Sequence, residues 1–201
     1  GSRQPMFPAL GRPMLNWYHE LQDTERRTLI AAFGGWAVDA FDFMIYTFLI
    51  PTLIAAWSMT KGQAGLIGTV TLILSAVGGW LAGILADRYG RVLMLQVTIA
   101  WFAVFTFLCG FTQSFEQLML TRALQGLGFG GEWAVGSVLV AEMIRADHRG
   151  KAVGTVQSAY AVGYGAAALL SSILFAAMDP AVAWRWMFWL GAIPAVWVFV
   201  A

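Results

Sequence analysis

Charge is what this sequence lacks most. Asp, Glu, Lys and Arg make up 11% of its 201 residues, against about 25% in a soluble domain. With 59% hydrophobic residues and a mean hydropathy of +0.69, most of the surface cannot face water. Net charge is scarce too: the formal value is +1, which excludes a nucleic-acid role built on a basic surface. Cysteine is reduced to Cys109, so neither a disulfide within the chain nor a cysteine zinc site can form. The histidines, His19 and His148, lie outside the apolar runs, and no HExxH string occurs. Without a metal site or a Ser–His pairing at membrane depth, no enzyme chemistry, cofactor or metal is expected. No secretory leader is expected either, because the apolar run that begins near residue 28 is too long for one. The chain reads as an integral membrane protein.

What the sequence has instead is long apolar runs punctuated by charge. A membrane helix needs about 20 mostly apolar residues. Residues 62–86, 92–115 and 152–178 hold no charged residue at all. Residues 28–57 are interrupted only by Asp39 and Asp42, and 117–141 only by Arg122 and Glu132. A last run occupies 185–201. The expectation is an all-α integral membrane fold with six transmembrane helices, preceded by an N-terminal segment over 1–27. Within that segment, 16–27 ("NWYHELQDTERR") reads as a short amphipathic helix on the membrane surface, or as a solvated leader.

Basic residues set the orientation. With the N-terminus in the cytoplasm, the inner side receives Arg3, Arg12, Arg26, Arg27, Arg88, Arg91, Arg145, Arg149 and Lys151, and the outer side only Lys61 and Arg185. Trp57, Trp184 and Trp186 then fall at the outer boundary, where amphipathic rings are favoured. The expected location is the inner (plasma) membrane.

Two short strings carry more information. "GILADRYGR" (83–91) joins spans two and three with small residues and a compact charge set, Asp87, Arg88 and Arg91. "RALQGLGFGGEW" (122–133) places four glycines between two charged groups in span four, a pattern that permits close backbone contact. Together these strings resemble the loop 2–3 motif and the fourth-helix R-x-x-Q-G-x-G motif of the major facilitator superfamily. The first departs after Arg91, with Val92 and Met94 where basic residues usually stand. "RADHRGKAVG" (145–154) and "WRWMFWLGAIPA" (184–195) resemble that superfamily's loop 4–5 and its entry into helix six. "DAFDF" (39–43) resembles the first-helix motif of its proton symporters for organic acids, which include sialate, monocarboxylate and aromatic-acid carriers. Ala40 in place of glycine sits closer to the sialate and monocarboxylate form. "GGEW" (130–133) points to the same broad group of metabolite–proton symporters.

The resemblance implies two inverted three-helix repeats forming the N-terminal half of a twelve-helix transporter. The implied partners are a proton, a small organic anion, membrane lipid, and a C-terminal six-helix half or a second copy of the chain. Drug antiporters of the superfamily usually carry a Gly-Pro motif in helix five. The sequence over 154–170 has no proline, which lowers the antiporter alternative. A half that folds and self-associates without transporting is the other alternative.

Depth arithmetic brings the membrane charges together. Asp42 lies about 21 Å along span one, or about 9 Å below the outer face of a core about 30 Å thick. Arg122, on a span running the other way, lies about 9 Å from the same face, and Asp39 about 4.5 Å deeper is within its reach. Protonation of Asp42 and capture of an anion by Arg122 would favour one another, because a buried aspartate deprived of its guanidinium takes up a proton. A static salt bridge is the plainer reading. Asp39 shares a helix face with Asp42, and one arginine cannot neutralise both. Glu132, about 15 Å beyond Arg122, is a second proton site, an inner gate or a packing brace. Gln157, Tyr160 and Tyr164 share one face of span five and, with Gln125, form a candidate substrate lining. Asp87, Arg88 and Arg91 are the candidate cytoplasmic gate.

Overall fold

A computed structural model describes residues 16–197. Arg3, Arg12 and the end of the last expected span, 198–201, lie outside the described residues. Among the described residues seven helices follow one another: α1 (Asn16–His19), α2 (Asp23–Trp57), α3 (Lys61–Tyr89), α4 (Arg91–Cys109), α5 (Phe115–Met143), α6 (Ala146–Ala177) and α7 (Pro180–Trp197). No strand occurs among the described residues.

The helices depart from the expected spans at their ends, for local reasons. The surface helix over 16–27 is a correction: it shrinks to the single turn α1, and the residues from Asp23 onward join the first span as one 35-residue helix. The break falls at Glu20–Gln22, where the Gln22 amide donates to Glu25 Oε2 at 2.7 Å and starts α2 afresh. The run 92–115 is also corrected. α4 ends at Cys109, and the uncharged loop "GFTQS" (110–114) separates it from α5. Charge punctuation cannot detect such a loop, but its Ser114 cap can be read: the hydroxyl accepts from the Gln117 amide at 3.4 Å. α6 begins at Ala146, six residues before the apolar run, and α7 begins at Pro180, five residues before its run. Proline suits a first helical position because its missing N–H would be unpaired there anyway. α3 and α4 are linked by Gly90 alone, whose φ of 96° is open to glycine and strained for other residues.

Among the described residues four helices, α2, α3, α4 and α6, are long and apolar enough to cross a membrane on length and composition alone. α5 and α7 are not among them; α5 carries Arg122 and Glu132, both buried inside the bundle. A polar helix is tolerated when its neighbours cover its charges. α5 accordingly packs against α3 and α4, while α2 packs against α6 and α7. Exchanging the first three long helices for the last three maps each of these contacts onto another: α3–α5 onto α6–α2, and α4–α5 onto α7–α2. That is the signature of two inverted three-helix repeats.

Glycine decides how close α5 comes. A Cβ at Gly126 would strike the Thr71 carbonyl on α3, and one at Gly130 the Ser75 carbonyl a turn further along. The main apolar core lies toward one end, around Ile45, Leu49, Leu53, Ile67, Leu118 and Phe188. Trp57 and Trp184 meet edge to face there, 5.5 Å apart. The opposite end gathers Glu25, Arg91, Glu142 and Arg145 in ion pairs.

Candidate functional site

Apart from Glu25 at the basic end, the buried charges among the described residues form two adjoining clusters rather than one. In the first, α2 and α5 bring Asp42 and Arg122 together with Arg122 Nη1 2.8 Å from Asp42 Oδ2, and each residue is 2% exposed. Gln125, one turn along α5, accepts from Arg122 Nη1 at 2.7 Å and donates to Asp42 Oδ2 at 2.8 Å. Its amide nitrogen also donates to Thr106 of α4, whose hydroxyl donates in turn to the Phe102 carbonyl at 3.0 Å. The guanidinium lies over the Tyr46 ring, 4.8 Å from its centroid. Tyr46 is held there by its hydroxyl, which donates to the Ala64 carbonyl at 2.7 Å.

This cluster is satisfied on one side and open on the other. Asp42 Oδ1 and Arg122 Nε are buried with no protein partner. A guanidinium carries five donors in a fork that matches a carboxylate. One donor of Arg122 and one acceptor of Asp42 are therefore left unsatisfied beside their mutual bond.

The second cluster corrects an expectation. Asp39 makes no ion pair with Arg122; it shares a cavity wall with Glu132, whose Oε1 lies against Gly35, one turn before Asp39 on α2. The physical reason is register. Asp39 lies one turn nearer the basic end than Asp42, and Glu132 lies on the same side of Arg122 along the antiparallel α5. Asp39 and Glu132 line a cavity of about 70 Å³, together with Trp36, Trp133 and Gln157. The Trp36 and Trp133 rings sit 6.1 Å apart, tilted by 30°.

The candidate substrate lining is brought together only in part. Gln157 reaches the Asp39–Glu132 cavity, and Tyr160 borders a neighbouring cavity with Asp39 and Phe43. Gln125 is 1% exposed inside the arginine cluster rather than on a lining. Tyr164 packs edge to face on Phe48 at 5.8 Å, further along α6. Trp36 and Trp133, which line the cavity in place of Gln125 and Tyr164, were not expected. Tyr46 was legible: it stands four residues after Asp42 and so shares its helix face. Thr106 was legible as a lone hydroxyl in the apolar string "FAVFTFLC" (102–109).

At the basic end, Arg91 bonds Asp87 at 3.3 Å and, across to the end of α5, Glu142 at 2.7 Å. Arg88 takes no part in that pair and lies over the Tyr89 ring at 5.5 Å. Glu142 completes the set and was missed, because nothing near it in sequence marks it. A second tie joins α2 to the start of α6. Glu25 accepts from the backbone and the side chain of Arg145, both at 3.0 Å. These bonds, with the Gln22 amide, hold the Glu25 carboxyl at about 2, well below the usual carboxylate range.

Residues 31–201 match the family described as the Major Facilitator Superfamily. The chain is 49% identical over 183 residues to a probable 4-methylmuconolactone transporter of Cupriavidus pinatubonensis, covering 91% of this chain and 43% of that protein. It is 34% identical over 174 residues to the niacin transporter NiaP of Acinetobacter baylyi, covering 86% of this chain and 39% of the relative. The fold is similar to a partially occluded inward-open xylose transporter XylE from E. coli, with a TM-score of 0.80 and 19% identity. That match covers 89% of this chain and 48% of the other. The chain thus spans less than half the length of these relatives. By family match and by fold, the chain belongs to the major facilitator superfamily, whose members are transporters rather than enzymes.

Proposed function

We propose that this chain is the N-terminal six-helix half of a proton-coupled symporter for a small organic anion. It would lie in the inner (plasma) membrane with its N-terminus in the cytoplasm. The observation that carries the reading is the buried Asp42–Arg122 pair with a donor and an acceptor left over. A substrate carboxylate that engages the guanidinium competes with Asp42 for it, and Asp42, released in a dry site, takes up a proton. Loading the anion and loading the proton then favour each other, as symport demands. The relatives point to the substrate class. 4-Methylmuconolactone and niacin, named for two of them, are both small unsaturated ring carboxylic acids. The Trp36–Trp133 cavity offers flat apolar faces to such a ring. Gln157 and Tyr160 supply hydrogen-bonding groups beside it. Asp87, Arg91 and Glu142, with Arg88 free beside them, act as the inner gate that meets the other half of the transporter.

The test uses the complete transporter in proteoliposomes, with 4-methylmuconolactone and niacin as probes. Uptake is expected to rise as the outside is made acidic, and to be lost in Asp42→Asn and Arg122→Ala. Uptake indifferent to the pH gradient sinks the symport reading. Substrate expelled by inward proton flow favours an antiporter instead. Retained uptake in Arg122→Ala reduces the pair to a static brace.

A further inference from the structure

The second acidic cluster has no use in the cycle just described. Asp39 and Glu132 are 2% and 5% exposed and line one cavity from α2 and α5. Both Asp39 oxygens and Glu132 Oε2 are buried without any donor from the protein. The groups around them cannot supply neutralising charge. α4 contributes Leu95 and Ile99, and α6 contributes Val153, Val156 and Gln157. The nearest titratable neighbours are Asp42, a turn away on α2 and already bonded to Arg122, and Tyr160 of α6. Two buried carboxylates on one small cavity, with no cation between them, cannot both stay ionised. One proton, covalently on one carboxyl and donated to the other, removes the repulsion and fills the missing hydrogen bond.

We propose that Asp39 and Glu132 form a proton-binding site of their own, holding one proton between the two carboxyl groups, separate from the Asp42–Arg122 pair. The adjoining cavity gives that proton a route. It is lined toward the basic end by Ala31, Ala32, Gly136 and Val140, and the unpaired indole N–H of Trp36 is an available donor to water within it. Gly35 keeps the pair in register, because a Cβ there would displace Glu132 Oε1. As a transport element the site rests on the proton coupling proposed above; as a protonated pair it does not.

Infrared difference spectroscopy on the complete transporter at neutral pH reads the proton directly. A protonated-carboxyl stretch is expected in the unmodified protein and is lost in both Asp39→Asn and Glu132→Gln. Its persistence in either variant overturns the sharing. Transport supplies the second readout, with 4-methylmuconolactone as the probe. Glu132→Gln, isosteric with the protonated acid, is expected to retain counterflow exchange while losing pH-driven accumulation by about tenfold or more. Gly35→Ala is expected to weaken accumulation in the same way with every titratable group intact. If Asp42→Asn abolishes accumulation and Glu132→Gln leaves it unchanged, the symport reading stands and this one falls. If the infrared signal behaves as expected but uptake ignores the pH gradient, the proton pair stands and the symport reading falls.

Discussion

Arg122 is engaged by three neighbours at once: the Asp42 carboxylate, the Gln125 amide oxygen and the Tyr46 ring. A lysine would keep the charge and lose the planar fork, so Arg122→Lys is not conservative here. Its uptake by the complete transporter is expected to fall by about tenfold or more, close to Arg122→Ala. Gln125 organises the same cluster by accepting from Arg122 and donating to both Asp42 and Thr106. Gln125→Leu strips a donor from Asp42 and an acceptor from Arg122 in a dry site, at about 1–3 kcal/mol. A lowered melting temperature of the chain in detergent checks it, and an unchanged melt contradicts it. The pairing of Asp42 with Arg122 was legible from rise per residue alone, because two antiparallel helices fix relative depth. The partner of Asp39 was not, because depth does not tell which of two nearby charges a side chain turns toward.

Among the elements, α5 sits where α3 and α4 close over its glycines, and that closeness is a backbone-to-backbone contact. Gly130→Ala forces its methyl against the Ser75 carbonyl on α3, and about 1–3 kcal/mol of stability is expected to be lost. Gly165→Ala on α6 meets no atom within 4 Å, and is expected to be neutral or to stabilise by up to about 1 kcal/mol. Thermal melts of both variants in one detergent compare them directly, and equal melting temperatures contradict the contrast. The tie between α2 and α6 gives a pH prediction. Glu25 is held at about 2, below its ordinary 4.5, so the folded form favours the ionised carboxyl. Its contribution is complete above that ordinary value and is lost as pH falls toward about 2. Glu25→Gln is expected to flatten the acid side of the stability profile; an unchanged acid limb contradicts it. The sequence marks the small-residue run of α5 but not the α2–α6 tie, since Glu25 and Arg145 are 120 residues apart.

As a whole molecule the chain leaves much of its aromatic and aliphatic surface open, including Trp80, Trp133, Tyr160 and Tyr164. Lipid suits Trp80, whereas Trp133 borders the cavity with Asp39 and Glu132, which suits a protein partner better. The proposed partner is the second six-helix half, with another copy of the chain as its substitute. The 201-residue chain alone is therefore expected to self-associate in detergent and to show no uptake. Co-production with the remaining half is expected to restore uptake. Light scattering that finds a stable monomer rules out self-association.

Membrane residence, the number of long helices and their alternation are set by the sequence itself, because each depends on local apolar length and on where charge interrupts it. The resemblance carried by 83–91 and 122–133 likewise needs no coordinates. Tertiary structure decided what surrounds each buried charge: Gln125 bonds both members of the Asp42–Arg122 pair, while Asp39 and Glu132 share a cavity walled by two tryptophans. The reason is that a helix fixes the height and face of a residue, whereas its neighbour is fixed by the rotation and approach of a second helix. Between α2 and α5, for instance, Gly35 leaves the space that Glu132 Oε1 fills, a contact that no single segment contains.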